Sequence, residues 1–486
     1  MALNLVRNSK VFFTTNVDNT TGVIKPSTTT AFTSSNTYEL QVLDGFTFSQ
    51  NLSNETVTLA EAGVAPVRGQ RNFNTSLAPV DFAFSTYIRP RNQTTKITCE
   101  ESVLWNALLS DTAIGTATAI TGSTGITTNT AGLVTIAGTA MTTLPVVGDI
   151  IVLSGIASTT PAGLDKFLNS AGTVVTSTST SITVQLINYS TTAVSASVQT
   201  VAGLKFSKFA WSESNTAYSQ ITTGLSDKNQ LQKFGMLFLV DNVLYAVDNC
   251  ALNQVTIDFG IDQIATAQWT GQATALRQFA TGVTGASGTF ANGTGSDVGS
   301  GGAYAVKDTT AGYITNKLST VNMSAVKAIG TGIAAGDAYT IPLTGGSITI
   351  NNNITYITPN LLGIINQPIT YYTGTRSISG NLTAYLRTGA ANSESGELLK
   401  DMLAETANAI EPMFALAINI GGAANTVKVI LDMPSVTVGV PTVDVQQVVS
   451  TSIAFTAQGY TPNATAANNT FDLTKAGDLM IRYHAS

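Results

Sequence analysis

The sequence is poor in charge, in histidine and in cysteine. Only 11% of its 486 residues are charged, far below the ~25% that is typical of soluble proteins. Thr, Ser, Asn and Gly take the place of charged residues, and β-branched Thr favours strands with neutral polar faces. A monomer with so little charge would be poorly protected against association. The composition therefore favours a subunit whose surface is largely covered by neighbours.

The scarcity of histidine excludes most catalytic arrangements. The single histidine, His484, leaves no candidate base for a Ser-His or Cys-His arrangement and no histidine-based metal site. We interpret Glu100 and Glu101 as charges at a helix start rather than as an acid/base pair. The glycine-rich residues 288–302 lack the Lys-Ser/Thr that follows a phosphate loop. We predict no enzyme, no cofactor and no metal.

Basic residues and long apolar runs are also missing. The net charge is −6 and there is no basic run, which argues against a protein that holds phosphates but not against a surface that nucleic acid passes without sticking. No window approaches the ~18 apolar residues of a membrane helix. The first 13 residues lack the apolar core of a signal peptide, so we expect a soluble chain made in a cytoplasm. There Cys99 and Cys250 are expected to be buried thiols, although they could pair.

The clearest pattern lies in residues 253–277. From Val255 to Trp269 most odd positions are apolar and most even positions are polar, with Gly260 and Ile264 as exceptions. This period of two predicts strands with one face on a core. The run is long for one strand, so we predict a strand pair bent near residues 260–263. Residues 80–88 predict another strand, and residues 100–109 predict a helix.

Composition divides the chain. Residues 111–228 are rich in Ala, Thr, Gly and Ser and predict an inserted small all-β domain. Residues 281–346 have a similar, more flexible composition and predict a connector. Residues 1–110 and 229–280 would then form a discontinuous first domain, and residues 347–486 would form the last.

The sequence patterns that precede the connector are repeated after it in the same order. The matched segments are Ile354–Tyr356 with Phe46–Phe48, 378–387 with 80–89, 397–403 with 101–108, 413–420 with 236–241, and 436–458 with 255–272. Each match is weak alone, because alternating β sequences resemble one another by chance. The shared order favours a duplicated β-unit over two unrelated β-domains.

Four segments resemble the major tail tube proteins of tailed bacteriophages. They are Phe46–Ser49 with the long arm to Phe73, VDFAFSTYIRP at 80–90, EESVLWNALL at 100–109, and VTIDFGIDQIATAQW at 255–269. The resemblance covers the two repeated regions and not the inserts. It implies a mainly β fold: two tandem β-sandwich or barrel domains, each with a flanking helix, plus the inserted all-β domain.

Tail tube proteins form rings of six such domains, whose inner strands join into one barrel, and the rings stack into a tube. The resemblance implies that 255–269 and 436–455 supply inner strands, and that three chains complete a pseudo-sixfold ring. This departs from the commoner single-domain subunit. In a tube, the polar face of these strands would be a channel wall that repels phosphates. In a protein that forms no tube, the same face would be a solvated sheet face. The predicted lumen residues are Asp258, Asp262, Thr266, Gln268, Asp444 and Gln446. Residues 49–74 would reach the next ring through Asn54, Glu55, Glu61, Arg68 and Arg71.

The implied function is a structural subunit of the virion tail, assembled in the host cytoplasm, which forms the conduit for DNA ejection around the tape-measure protein. Other implied partners are further copies of the chain, the tail terminator, baseplate or tip proteins, a sheath if the tail contracts, and DNA in transit. The inserted domain would be an exposed decoration. The alternative is a secreted or surface β-rich adhesion protein, which shares the composition but requires an export signal or anchor that we do not find.

Overall fold

In the computed structural model, strands make up most of the described chain, which confirms the prediction of a mainly β protein. The structure describes residues 8–26, 29–57, 71–93, 96–109, 118–128, 133–145, 147, 150–154, 171–186, 204–208, 219–222, 231–294, 297–298, 301–307, 312–325, 329, 332–334, 337–388, 394–405, 413–421, 427–445, 448–458 and 478–485.

The elements follow one another in five groups. The first group is β1 (Lys10–Thr14), β2 (Thr37–Leu40), β3 (Thr47–Val57), β4 (Arg71–Tyr87), β5 (Pro90–Gln93), β6 (Lys96–Cys99) and helix α1 (Ser102–Leu109). The second is β7 (Thr118–Ala119), β8 (Thr121–Thr128), β9 (Leu133–Thr142), β10 (Ile150–Ser154), β11 (Ala171–Ser177), β12 (Ser181–Leu186), β13 (Lys205–Lys208) and β14 (Ser219–Thr222). The third is β15 (Phe234–Val240), β16 (Val243–Asp258), β17 (Thr266–Ala273), β18 (Ala275–Thr281), β19 (Thr284–Ala286), β20 (Thr289–Ala291) and β21 (Gly302–Ala303).

The remaining elements complete the second half of the chain. The fourth group is a 3₁₀ turn (Asn316–Leu318), β22 (Thr320–Ala325), β23 (Ala338–Ile341), β24 (Leu343–Asn351), β25 (Ile354–Ile357), β26 (Thr370–Thr373), β27 (Ser377–Tyr385) and helix α2 (Ser395–Glu405). The fifth is β28 (Met413–Ile420), β29 (Lys428–Val438), β30 (Thr442–Asp444), β31 (Ser450–Ala457) and β32 (Met480–His484). In the described part of the chain, neither α-helix has the length and apolar character needed to span a bilayer.

Two runs of antiparallel strands follow the same pairing order. The first ladder runs β2–β1–β15–β16–β17–β4–β3. The second ladder runs β23–β22–β28–β29–β31–β27–β24. The first half of β16 also pairs with β18, and the first half of β29 pairs with β32. Strands β4 and β27 occupy equivalent places in the two ladders. Helix α1 follows β4 after the short β5–β6 pair, and helix α2 follows β27.

The ladders also correct two sequence interpretations. Ile354–Tyr356 does not occupy the place of Phe46–Phe48, because it pairs with β26 in a separate hairpin. The strand beside β27 is β24. Part of the expected connector, 281–346, also belongs to the second ladder, because β22 pairs with both β23 and β28. Val321, Met323 and Tyr339 on these strands are buried, which explains why the segment folds despite its small-residue composition.

The bend predicted in residues 253–277 is present. Strand β16 ends at Asp258 and β17 begins at Thr266, and the two pair antiparallel with Val255 opposite Trp269. Both of these side chains are buried in a hydrophobic core that draws on the two ladders and the two helices. The indole of Trp269 packs edge-on against that of Trp105 on α1, with 4.8 Å between ring centroids.

A separate seven-stranded sheet lies in the residues expected to form the insert. Its order is β7–β13–β10–β11–β12–β9–β8. It has its own hydrophobic cluster, which includes Ile136, Ile151 and Val184. Both cysteines, Cys99 and Cys250, are buried thiols.

A buried polar network ties α1 to the last strand. Helix α1 begins at Ser102, so Glu100 and Glu101 precede it rather than occupying its first turn. The Glu101 carboxylate accepts from the Tyr483 hydroxyl of β32 at 2.9 Å and from the Arg89 backbone N–H at 3.3 Å. Tyr483 in turn accepts from the Trp105 indole at 2.7 Å. Burial raises the pKa of Glu101 to about 8, from an ordinary value of 4.5.

We predict that replacing Glu101 with Gln flattens the pH dependence of stability. The folded state holds the Glu101 proton more tightly than the unfolded state, so the free energy of unfolding falls as pH rises from about 4.5 to about 8. Gln keeps an acceptor for Tyr483 but has no proton to lose. Relative to the parent, E101Q should gain stability on the order of a few kcal/mol between pH 5 and pH 9. Urea unfolding at the two pH values measures this, with Glu397→Gln as the control. Parallel pH profiles for parent and E101Q would contradict the account.

Candidate functional site

The two ladders join into one continuous sheet. The C-terminal part of β16 pairs with β17 on one side and with β24 on the other, with Asp258 opposite Ser347 and Gln254 opposite Asn351. The resulting order is β3–β4–β17–β16–β24–β27–β31–β29. We call this the eight-strand sheet.

The eight-strand sheet has one buried face and one open face. Buried side chains alternate with half-buried or exposed ones along each strand, as the pleat requires. The buried face carries Phe84, Trp269, Val255, Ile350, Leu382, Ile453 and Val438. The open face carries Ser85, Gln268, Thr256, Thr349, Asn381, Ser452 and Thr437. One surface of the sheet therefore belongs to the core, and the other is polar and uncovered by the described chain.

Hydroxyl and amide groups link neighbouring strands across the open face. The hydroxyls of Thr256 and Thr349 lie 3.1 Å apart across the junction of the two ladders. The Ser452 hydroxyl donates to the Asn381 amide oxygen at 2.7 Å. These groups satisfy one another, so the face presents a smooth polar surface with few free donors.

The charge on this face has one sign. The strand segments that form it, 47–50, 80–87, 254–258, 266–273, 347–351, 377–385, 436–444 and 450–457, contain no Lys or Arg and include Asp81, Asp258 and Asp444. A surface of this kind repels phosphates and offers them no cation to bind. Within the described ranges, no group of three or more His, Cys, Asp or Glu side chains is arranged to hold a metal.

The structure brings most of the predicted lumen residues to this sheet. Asp258 and Thr266 pair across β16 and β17 on the open face, and Gln268 follows on β17. Asp262 lies exposed in the turn between these strands, and Asp444 is exposed on β30. Gln446 lies outside the described residues. The three acids Asp258, Asp262 and Asp444 thus lie towards the same end of the sheet.

The predicted inter-ring residues lie partly outside the described chain. Asn54 and Glu55 are exposed on β3, which extends with β4 beyond the body of the sheet as a long hairpin. The Arg71 backbone pairs with Val57 in that hairpin. Glu61 and Arg68 lie outside the described residues.

Sequence reasoning missed two features of this surface. Asp81 is exposed on β4 and accepts a 3.0 Å hydrogen bond from the Gln272 amide. The alternation of residues 80–88 could have identified it, since Asp81 stands between the buried Val80 and Phe82. The second feature is a hairpin between β24 and β27, formed by β25 and β26, which occupies the place that the long arm occupies between β3 and β4.

Two edges of the eight-strand sheet are unpaired by the described strands. At one edge, β4 is the only described strand that pairs with β3. At the other edge, β28 pairs with β29 only as far as Thr437, and residues 438–444, which are the end of β29 followed by β30, pair with β31 on one side only among the described strands. This second edge exposes Val440 and Val443, and Val445 follows at 79% exposure. Unpaired edges with exposed apolar side chains are templates for pairing with another chain.

The chain is similar to a bacteriophage tail tube protein, which confirms the resemblance inferred from the sequence. This relative is the tail tube protein pb6 of Escherichia phage T5. The two chains are 25% identical over 471 residues, which cover 94% of this chain and 73% of the relative. No protein-family model matches the chain. The similarity supports a structural tail tube subunit located in the virion tail.

Proposed function

We propose that this protein forms rings that stack into the hollow tube of a phage tail and that DNA leaves the virion through its bore. The observation that carries the proposal is the eight-strand sheet, with a polar acidic face on one side and an unpaired edge at each end. The role is structural, and no catalysis is involved. The similarity to pb6 of phage T5 supports the same class of assembly.

The junction inside the chain suggests how chains join. Strand β24 covers the edge of β16 at residues 254–258. In the second ladder, β29 occupies the place of β16, and β28 covers its edge only as far as Thr437, so the edge at residues 438–444 has no such cover among the described strands. In the first ladder, β3 occupies the place of β24, and its outer edge is also uncovered by the described strands. The edge at 438–444 of one chain would therefore pair with β3 of the next.

Repeating this junction gives a closed ring. Since one chain contributes two equivalent units, three chains complete a ring of pseudo-sixfold symmetry. Such a ring has roughly 24 strands, more than the 16–18 strands that already enclose an aqueous channel in porins. Closure removes every sheet edge. The open faces then line the bore, and their neutral and acidic side chains let DNA pass without being held.

The other predicted features fit this assembly. The long β3–β4 hairpin, with Asn54 and Glu55, would reach the neighbouring ring. Residues 1–110 with 229–280, and residues 347–486 together with β22 and β23, would be the two copies of a tube domain. The seven-stranded sheet within 111–228 would decorate the outside. The tape-measure protein, the tail terminator and the baseplate or tip proteins would be the further partners.

We predict that charge on the exposed edge prevents ring closure. Val440 and Val443 are each 42% exposed on the edge at residues 438–444, so V440K/V443K should fold normally. Lys at an edge strand opposes pairing because it must be desolvated against the neighbouring strand. Native mass spectrometry and negative-stain microscopy should find monomers in place of rings and tubes.

The matched control for the edge variant is Val306→Lys, which introduces the same change at an exposed valine outside the eight-strand sheet. This control should form rings like the parent. Rings formed equally well by V440K/V443K would show that the edge at 438–444 does not join the chains.

We also predict that positive charge on the open face impairs DNA passage. D258K/D262K/D444K changes exposed side chains, so folding and assembly should persist. Lys side chains at these positions would bind DNA phosphates in the bore and lower the rate of genome ejection by about tenfold or more at low salt, with partial recovery at high salt. Receptor-triggered ejection from purified virions, followed by dye fluorescence, measures this rate. Glu397→Lys on α2 is the control, and an unchanged ejection rate in the triple variant would remove these acids from the bore.

A further inference from the structure

An exposed apolar loop projects from the hairpin of β25 and β26. The apolar loop, residues 359–369, exposes five large aliphatic side chains, of which Leu362 is completely exposed. These residues are Leu361, Leu362, Ile364, Ile365 and Ile369. The whole segment 352–375 has no charged residue. Soluble proteins rarely leave such a cluster uncovered unless it binds a partner.

The apolar loop is held in place by its own chain. Asn366 exchanges backbone hydrogen bonds with β4, accepting from Leu77 N–H at 2.8 Å and donating to the Thr75 carbonyl at 3.3 Å. The Asn366 side chain accepts from Leu361 N–H at 2.8 Å. At the base of the hairpin, the buried Tyr356 hydroxyl lies 2.7 Å from the Asn249 carbonyl oxygen. The loop is therefore preorganised with its aliphatic side chains outward, which lowers the entropy cost of binding.

The apolar loop and a second exposed apolar group lie at opposite ends of the eight-strand sheet. The hairpin leaves β24 at Asn351 and returns to β27 at Ser377. The turn at 259–265 and residues 445, 448 and 449 lie at the other end, where Phe259 N–H donates to the Gly346 carbonyl and Leu386 N–H donates to the Val449 carbonyl. We call this second end the turn rim. Its exposed apolar side chains are Ile261, Ile264, Tyr385, Val445 and Val448.

Charge opposes contact between the turn rims of two chains. The turn rim also carries the exposed acids Asp258, Asp262 and Asp444. Two turn rims placed face to face would bring these acids together, which costs free energy. The uncharged apolar loop meets no such repulsion at the turn rim. A head-to-tail contact of this kind does not close on itself and so generates an open filament.

We propose that the apolar loop docks on the turn rim of a second copy of this chain in the adjacent ring. The inference rests on the proposed tube function and assigns the contact that stacks the rings. In this proposal, the apolar loop of the second ladder contributes an apolar contact between stacked rings. The β3–β4 hairpin of the first ladder contributes a further contact.

The test separates ring formation from stacking. L362S/I364S removes the most exposed aliphatic side chains of the loop without touching its hydrogen bonds to β4. V445S/V448S makes the same change at the turn rim, and Leu403→Ser, which replaces a 63% exposed leucine on α2, is the matched control. Purified parent and variants would be compared by native mass spectrometry for rings and by electron microscopy for tubes. Both double variants should keep their rings and lose their tubes, whereas the control should form both.

Other outcomes overturn the inference in distinct ways. Tubes formed by L362S/I364S would show that the apolar loop does not stack the rings. Tubes formed by V445S/V448S alone would show that the loop docks elsewhere than on the turn rim. Loss of rings in L362S/I364S would assign the loop to ring closure instead. If the parent protein forms neither rings nor tubes, the proposed function fails and the stacking contact fails with it.

Discussion

Backbone hydrogen bonding at a sheet edge is the constraint on which the structure depends. Each unpaired N–H and C=O along a strand must find a partner, and an exposed edge finds it in another strand. Within the chain, β24 satisfies the edge of β16, and this joins the two ladders into one sheet. The same arrangement leaves the edge at 438–444 and the outer edge of β3 uncovered by described strands. In the proposed assembly, these two edges form the same kind of junction between neighbouring chains.

Close packing on one side of the sheet keeps the other side free. A Cβ on Gly271 would lie 2.3 Å from the Phe82 ring, and one on Gly380 would lie 2.4 Å from the Phe455 ring. These glycines let aromatic rings on the neighbouring strand lie flat against the backbone. Helix α1 packs on the same side through Trp105, which the last strand holds through Tyr483. The bulky apolar groups therefore gather on one face, and the other carries mainly polar and acidic side chains.

Alternation predicted the strands and their faces but not the pairing between distant segments. The period of two placed Asp258, Thr266 and Gln268 on one face, since successive residues of a strand point to opposite sides. It could not distinguish Ile354–Tyr356 from β24, because both alternate. The structure also changes one of the matched positions in the repeat. Tyr87 pairs with Thr266, and the equivalent Tyr385 pairs with Ser450. Three residues further along each strand, Ile453 rather than Phe455 therefore corresponds to Trp269. The apolar loop looks like core in sequence, and only the fold shows that it is exposed.

The central claim is that chains join edge to edge through residues 438–444 and β3. Electron cryomicroscopy of assembled tubes at a resolution that traces strands tests it most directly. The account predicts three chains in each ring, one uninterrupted β-wall around the bore, and backbone hydrogen bonds between residues 438–444 of one chain and β3 of the next. Rings with another number of chains, or edges that face solvent or a different element in the assembled tube, would contradict it.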